Sequence, residues 1–291
     1  MLHRLTLPAP AKINLFLHIT GRRADGYHLL QTVFQLLDHG DSLDFSLRDD
    51  GQITLTGEVP GIAPEQNLIV KAGRLLQQHT RCRPGADIVL VKRLPTGGGL
   101  GGGSSDAATT LLGLNILWDL QLDIDTLAAL GLQLGADVPV FVRGRSSWAE
   151  GVGELLTPVN LPDNWFLVIT PDCAVNTGEI FNAEELTRNT PAITIAAFSQ
   201  GGGQVATRND CQPVVEKRYP AVKNALEWLS HHTNCRMTGT GASVFGSFPT
   251  REQAEAVLAM KPAPWRGFVA RAVNISPAHC RLHDCQQPAT P

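Results

Sequence analysis

RLPTGGGLGGGSSDAAT, residues 93–109, sets six glycines at positions 97–99 and 101–103 just ahead of two serines. The segment before it, ADIVLVKRLP (residues 86–95), has the apolar content of a strand and is stopped by Pro95. The segment after it carries Ala107, Leu111, Leu114 and Trp118 on one helical stripe. A flexible linker would sit between polar, unpatterned flanks, and this run does not. A Walker A loop needs a Gly-Lys pair, and the chain has none. Gly97, Gly99 and Gly102 match the dinucleotide pattern GxGxxG, with Asp119 beyond them. However, Asp119 directly follows the helix, with no second strand between, and three glycines are surplus to that pattern. The flanks favour a fourth reading over the linker and dinucleotide ones: a triphosphate loop of another type. Glycines let backbone N–H groups approach phosphate oxygens, and the helix that begins here offers its positive end. Ser104 and Ser105 add hydroxyls, and Asp106 places an acid in the first turn.

Working outward, the 291 residues suffice for about two domains. Charged residues make up 18% of the chain and the net charge is -3, which argues against a general polyanion binder. No nucleic-acid or membrane partner is expected: no apolar run reaches spanning length, and the alternating start resembles a strand rather than a signal-peptide core. The six scattered cysteines include no CxxC pair and are expected as free thiols in a cytoplasmic protein. HCRLHDC (residues 279–285) has metal-ligand residue types but no second ligand pair, and reads as a frayed tail.

AKINLFLHI (residues 11–19) alternates, with Ala11, Ile13, Leu15 and Leu17 on one face and Lys12, Asn14, Phe16 and His18 on the other. SLDFSL and QITLTG read as two strands of a hairpin turning at RDDGQ. Proline and polar turn residues gather near LTPVNLPDN, placing a boundary that divides the chain into 1–160, 161–285 and a tail at 286–291. Helices and strands mix in the second part, and Pro220 should kink or split the helix that contains it. The expected class is α/β (α+β) in two domains.

PTGGGLGGGSSDAA (residues 95–108) resembles the phosphate-loop motif of the GHMP kinases. PAKINLFLHITGRRADGYH (residues 10–28) and MTGTGASVFGSF (residues 237–248) are similar to that family's first and third motifs, in the family's order. The resemblance implies an S5-like N-terminal domain, a ferredoxin-like C-terminal domain and a small-molecule alcohol kinase using ATP and Mg2+. Pro95, Thr96, Gly97, Gly98, Gly99, Leu100, Gly101, Gly102, Gly103, Ser104 and Ser105 would cradle ATP, with Asn67 and Lys92 as further nucleotide contacts. A phosphate-loop serine is the expected Mg2+ ligand, and no carboxylate ligand is assigned.

The same resemblance implies that Asp137 is general base and Lys12 the charge-stabilising lysine. Asp137 also precedes Pro139 in a helix-capping pattern. The glycine-doubled loop is most similar to the member acting on a cytidine diphosphate-linked methylerythritol. Tyr27 and His28 would then hold the cytosine, with Phe181 as the opposing face. Asn14 and the turn Thr238, Gly239, Thr240 and Gly241 would complete the acceptor site. Another GHMP alcohol kinase, or a non-catalytic nucleotide-binding protein, is the alternative. A monomer or weak homodimer is expected.

Overall fold

The computed structural model describes residues 3–57, 59, 61–199 and 206–286. The first half comprises β1 (Arg4–Arg22), β2 (His28–Arg48), β3 (Ile53–Thr56), α1 (Leu68–Thr80), β4 (Gly85–Val91), α2 (Gly102–Leu117), α3 (Ile124–Leu134), α4 (Val138–Arg143), β5 (Ser147–Glu150) and β6 (Leu155–Pro158). The second comprises β7 (Trp165–Thr170), α5 (Thr177–Phe181), α6 (Ile195–Ser199), α7 (Gln212–Arg218), α8 (Pro220–Ser230), β8 (Cys235–Met237), β9 (Val244–Phe248), α9 (Arg251–Ala259), β10 (Arg266–Val273) and α10 (Pro277–Gln286). The segment expected to hold a domain boundary, near residue 160, lies between β6 and β7 and is neither helix nor strand.

Strands pair in the order β3-β4-β2-β10-β7-β9-β8, and β1 and β5 also pair with β2. The two halves meet in this sheet through Ala272↔Leu37 and Val273↔Leu36 alone among described strand pairs. Each half has its own core. Leu7, Phe45, Ile69, Ala107, Leu111, Leu114 and Val140 belong to one, and Leu167, Ile169, Val215, Leu229 and Val244 to the other. Burying such clusters contributes about 25 cal/mol per Å2 of apolar surface, the main force holding each half together. α2 lies inside the first core. It is buried on nearly all sides from Ser105 to Leu114, wider than the single stripe its sequence shows.

Several expectations need correction. β2 and β3 are not a hairpin: β4 lies between them, antiparallel to β2 and parallel to β3. Alternation identifies a strand but not its partner. The two faces read in β1 also switch. An extra residue between Asn14 and Leu17 shifts the register from Asn14↔Phe34 to Leu17↔Thr32. Phe16 then packs against Trp148, 5.5 Å between ring centroids. Residues 277–286 are helical rather than frayed, and Leu282 joins the first core. No metal-binding group of His, Cys, Asp or Glu occurs among the described residues. Pro220 does split its helix, into α7 and α8 at Tyr219. No described helix is long and apolar enough to cross a membrane.

Candidate active site

The glycine run divides into residues that must be glycine for packing and residues that open onto space. A Cβ on Gly99 would stand 2.3 Å from the Thr238 carbonyl oxygen, and one on Gly101 2.8 Å from the Phe141 ring. Both have positive φ, +72° in each case. At Gly98 a Cβ would meet the Ser243 hydroxyl at 2.8 Å, and at Gly102 the Lys92 ammonium at 3.0 Å. Gly97 and Gly103 differ. A Cβ on Gly97 would meet nothing within 4 Å, and one on Gly103 only Leu68 at 3.7 Å. These two line a cavity of about 290 Å3 together with Asn67, Lys92, Pro95, Thr96 and the rest of the loop through Ser104.

Helix α2 begins beside that cavity, with Gly101 as N-cap. Its first N–H groups lack acceptors inside the helix and suit an anion. Ser104 lines the cavity, but Ser105 is fully buried, lines none of the cavities described here, and its hydroxyl has no partner. Asn67 caps α1, its Oδ1 accepting from the Ile69 N–H at 2.9 Å. Lys92 is held between Asp41 and Asp106. Burial works against the Lys92 charge, but the two carboxylates more than offset it and leave its pKa above the ordinary value. Burial pushes the Asp106 carboxyl up to about 7, with Asp41 adding to the rise and Lys92 opposing it.

A second cavity, about 360 Å3, shares Gly97, Gly99, Gly101 and Ser104 with the first. Lys12 and Asp137 meet in it, Nζ to Oδ2 at 3.3 Å. Lys12 is only 3% exposed. Its ammonium also donates to Asn14 Oδ1 at 2.7 Å and to the Gly99 carbonyl at 3.0 Å, so all three donors have acceptors. Asp137 occupies the N-cap position of α4, yet its side chain makes no capping bond. The carboxylate turns to the cavity instead, which corrects the capping expectation. The TGTG turn closes the other wall. Thr238 Oγ1 donates to Gly99 O at 3.1 Å and accepts from the Asn14 N–H at 2.9 Å, and the Ser243 N–H donates to Gly98 O at 3.2 Å. Gly239, Thr240 and Gly241 line the cavity.

A third cavity, about 550 Å3, shares Leu30, Ala136, Val152, Thr177 and Phe181 with the second. Tyr27 and His28 line it. Tyr27 is 65% exposed and free to lie over a ligand. His28 stacks on Phe181, ring centroids 5.2 Å apart at 24°. That gap is too narrow for a base between them, so His28 and Phe181 form one wall and not two opposing ones. Burial holds the His28 pKa below its ordinary value, helped by the Arg188 and Arg22 cations.

Leu100 is buried, and its carbonyl accepts from the Lys12 N–H at 3.0 Å, tying the loop to β1. Sequence reasoning did not find Asp41, Phe141, Thr177 or Arg188. Thr177 joins its hydroxyl to that of Thr240 at 2.8 Å, and nothing in its local sequence marks that role.

Residues 67–145 match the family model described as GHMP kinases N terminal domain, and residues 194–266 match GHMP kinases C terminal. A curated relative from Pseudomonas paraeruginosa, 4-diphosphocytidyl-2-C-methyl-D-erythritol kinase, is 58% identical over 96% of this chain and 98% of its own. One of the same name from Ectopseudomonas mendocina is 60% identical, covering 96% of this chain and 94% of its own. A crystal structure of 4-(cytidine 5'-diphospho)-2C-methyl-D-erythritol kinase superposes with a TM-score of 0.77 at 31% identity, over 92% of this chain and 99% of that one. A homoserine kinase from Cytophaga hutchinsonii, at 17% identity and a TM-score of 0.67 over 95% of this chain and 96% of its own, shares the fold.

Proposed function

The chain belongs to the GHMP kinase family, and from that premise we infer that it phosphorylates the 2-hydroxyl of 4-diphosphocytidyl-2-C-methyl-D-erythritol with ATP. This is a step toward isoprenoid precursors outside the mevalonate route. The single observation that carries the reading is the Lys12–Asp137 pair, set in a cavity that opens on one side to the phosphate loop and on the other to His28 and Phe181.

In this reading the triphosphate lies on the 95–104 loop and the N-terminus of α2. Gly97 and Gly103 leave it room, and the N–H groups of the first helical turn receive its charge. The acceptor places its base in the third cavity and its polyol beside Asp137. Asp137 takes the proton from the hydroxyl, and its 34% side-chain exposure leaves the carboxylate reachable. Lys12, fixed by Asn14 and Gly99, holds positive charge next to the forming alkoxide. Thr238 locks loop to turn so that the two substrates meet in one geometry.

The residues present fit Mg2+ carried mainly by phosphate oxygens and water, with the Ser104 hydroxyl as the protein group that would hold it. Mg2+ supplies charge neutralisation on the phosphates when bound. Free thiols at the described cysteines and ATP as donor suit a cytoplasmic enzyme.

The deciding experiment measures ADP release with ATP, Mg2+ and the cytidyl substrate. Asp137→Asn should lose about 10²–10⁴-fold in kcat, and Lys12→Met a similar factor, with ATP affinity retained. Substrate-independent ADP release, or full activity in Asp137→Asn, would remove this reading.

A further inference from the structure

One arginine outside the motifs organises the far end of the cleft. Arg188 lies in the segment after α5 and is half-buried. Its Nε donates to His28 Nε2 at 3.0 Å. Its other nitrogens donate to three carbonyls: Leu186 at 3.1 Å, Phe181 at 3.0 Å and Ala183 at 2.7 Å. Ala183 and Leu186 are anchored in the core of the second half. One guanidinium therefore holds the backbone that carries Phe181 and the ring of His28 that stacks on it.

The chemistry of the donor fixes the proton on the imidazole. A guanidinium has only N–H donors and cannot accept. His28 Nε2 must therefore be unprotonated, and the neutral ring carries its hydrogen on Nδ1. An imidazolium would set an N–H against an N–H and one cation against another. His28 is thus a donor at Nδ1, on a ring held in plane by Arg188 and out of plane by Phe181.

We propose that Arg188 is a positioning residue for base recognition: it fixes His28 as the Nδ1–H tautomer and seats Phe181, so the pocket offers one donor beside one flat apolar wall. That pairing suits the unprotonated acceptor edge of a cytosine ring, N3 and O2. It is a poor match for a ring that carries hydrogen at N3. The proposal rests on the reading that the acceptor's base occupies the third cavity.

Two variants separate the tautomer from simple support. Arg188→Met removes every donor. Arg188→Gln restores an amide nitrogen at the chain position of Nε, without the charge or the carbonyl contacts. With histidine labelled in nitrogen-15, long-range spectra report the tautomer, and a His28→Asn variant assigns the signal. The wild type should show His28 protonated at Nδ1. Arg188→Met should lose that pattern and raise KM for the cytidyl substrate about tenfold or more. Its kcat at saturation and its KM for ATP should stay within about twofold. Arg188→Gln should recover the tautomer and part of the KM.

A wild-type His28 protonated at Nε2 overturns the proposal. So does an unchanged acceptor KM in Arg188→Met, or an Arg188→Gln that is no better than Met in both readouts. If Arg188→Met melts early, the wild-type spectrum and Arg188→Gln still decide. If the wild type fails to turn over the cytidyl substrate, the functional reading falls, and the spectrum still settles the tautomer separately.

Discussion

Lys12 and Asp106 show how burial assigns work to a charge. Lys12 is buried with three acceptors around its ammonium, so it is held still as well as charged. Asp106 has one oxygen on Lys92, while its buried Oδ1 has no hydrogen-bond partner. Its carboxyl, raised to about 7 chiefly by burial, lines the nucleotide-side cavity. An anion binding there should favour the protonated acid further. Asp106→Asn keeps an oxygen for Lys92 and removes the titration. The KM for ATP in the wild type should therefore rise as pH climbs through about 7, and that slope should flatten in the variant. Steady-state kinetics between about pH 6 and 8 would check this, and an equal slope in both proteins would place the titration elsewhere. Lys12 and Asp137 were legible as residue types only through motif resemblance. Arg188 was not legible at all, because its partners on His28 and three carbonyls are set by folding, 160 residues away in the case of His28.

Among the elements, the phosphate loop rewards a comparison of its own glycines. Gly103 is helical and opens on the cavity, so Gly103→Val puts methyl groups into the nucleotide space while slightly favouring the helix. The expected outcome is a KM for ATP raised at least about tenfold, with an unchanged acceptor KM and no loss of melting temperature. Gly99→Ala is expected to do the opposite first. Its Cβ would press on the Thr238 carbonyl from a positive φ, costing about 1–3 kcal/mol of stability before any effect on ATP. Thermal melts beside ATP titrations separate the two, and a Gly103→Val protein with normal ATP binding would remove the cradle role. The sequence shows that bulk is excluded from this run. It does not show that part of the exclusion serves the TGTG turn and Phe141 rather than phosphate. Strand identities were similarly readable from alternation, while the β2–β4–β3 arrangement and the β1 bulge were not.

At the scale of the whole molecule, burial holds four histidines among the described residues below their ordinary value of 6.5: His18, His28, His39 and His279. Between the lowered value and 6.5 the unfolded chain binds more protons than the folded one. Stability should therefore be full above that window and fall as pH drops through it. Asp106 opposes the trend, since the folded state takes up its proton more readily. His279, half-buried against Gly144 with Nε2 on the Val142 carbonyl, isolates one contribution. His279→Gln should flatten the fall in Tm below 6.5, and a parallel decline in both proteins would contradict its share.

Periodicity, proline and glycine act over a few residues, so the strands, the split at Pro220, the loop before α2 and the mixed α/β class could be read along the chain. The family followed from motifs in their expected order. The cleft itself came from folding: β10 joins the halves at β2, α10 returns to the first core, and Asp137 turns from its cap toward a lysine on β1. Those contacts join residues far apart in sequence. Which of them form depends on packing across the whole chain, and local pattern carries no record of it.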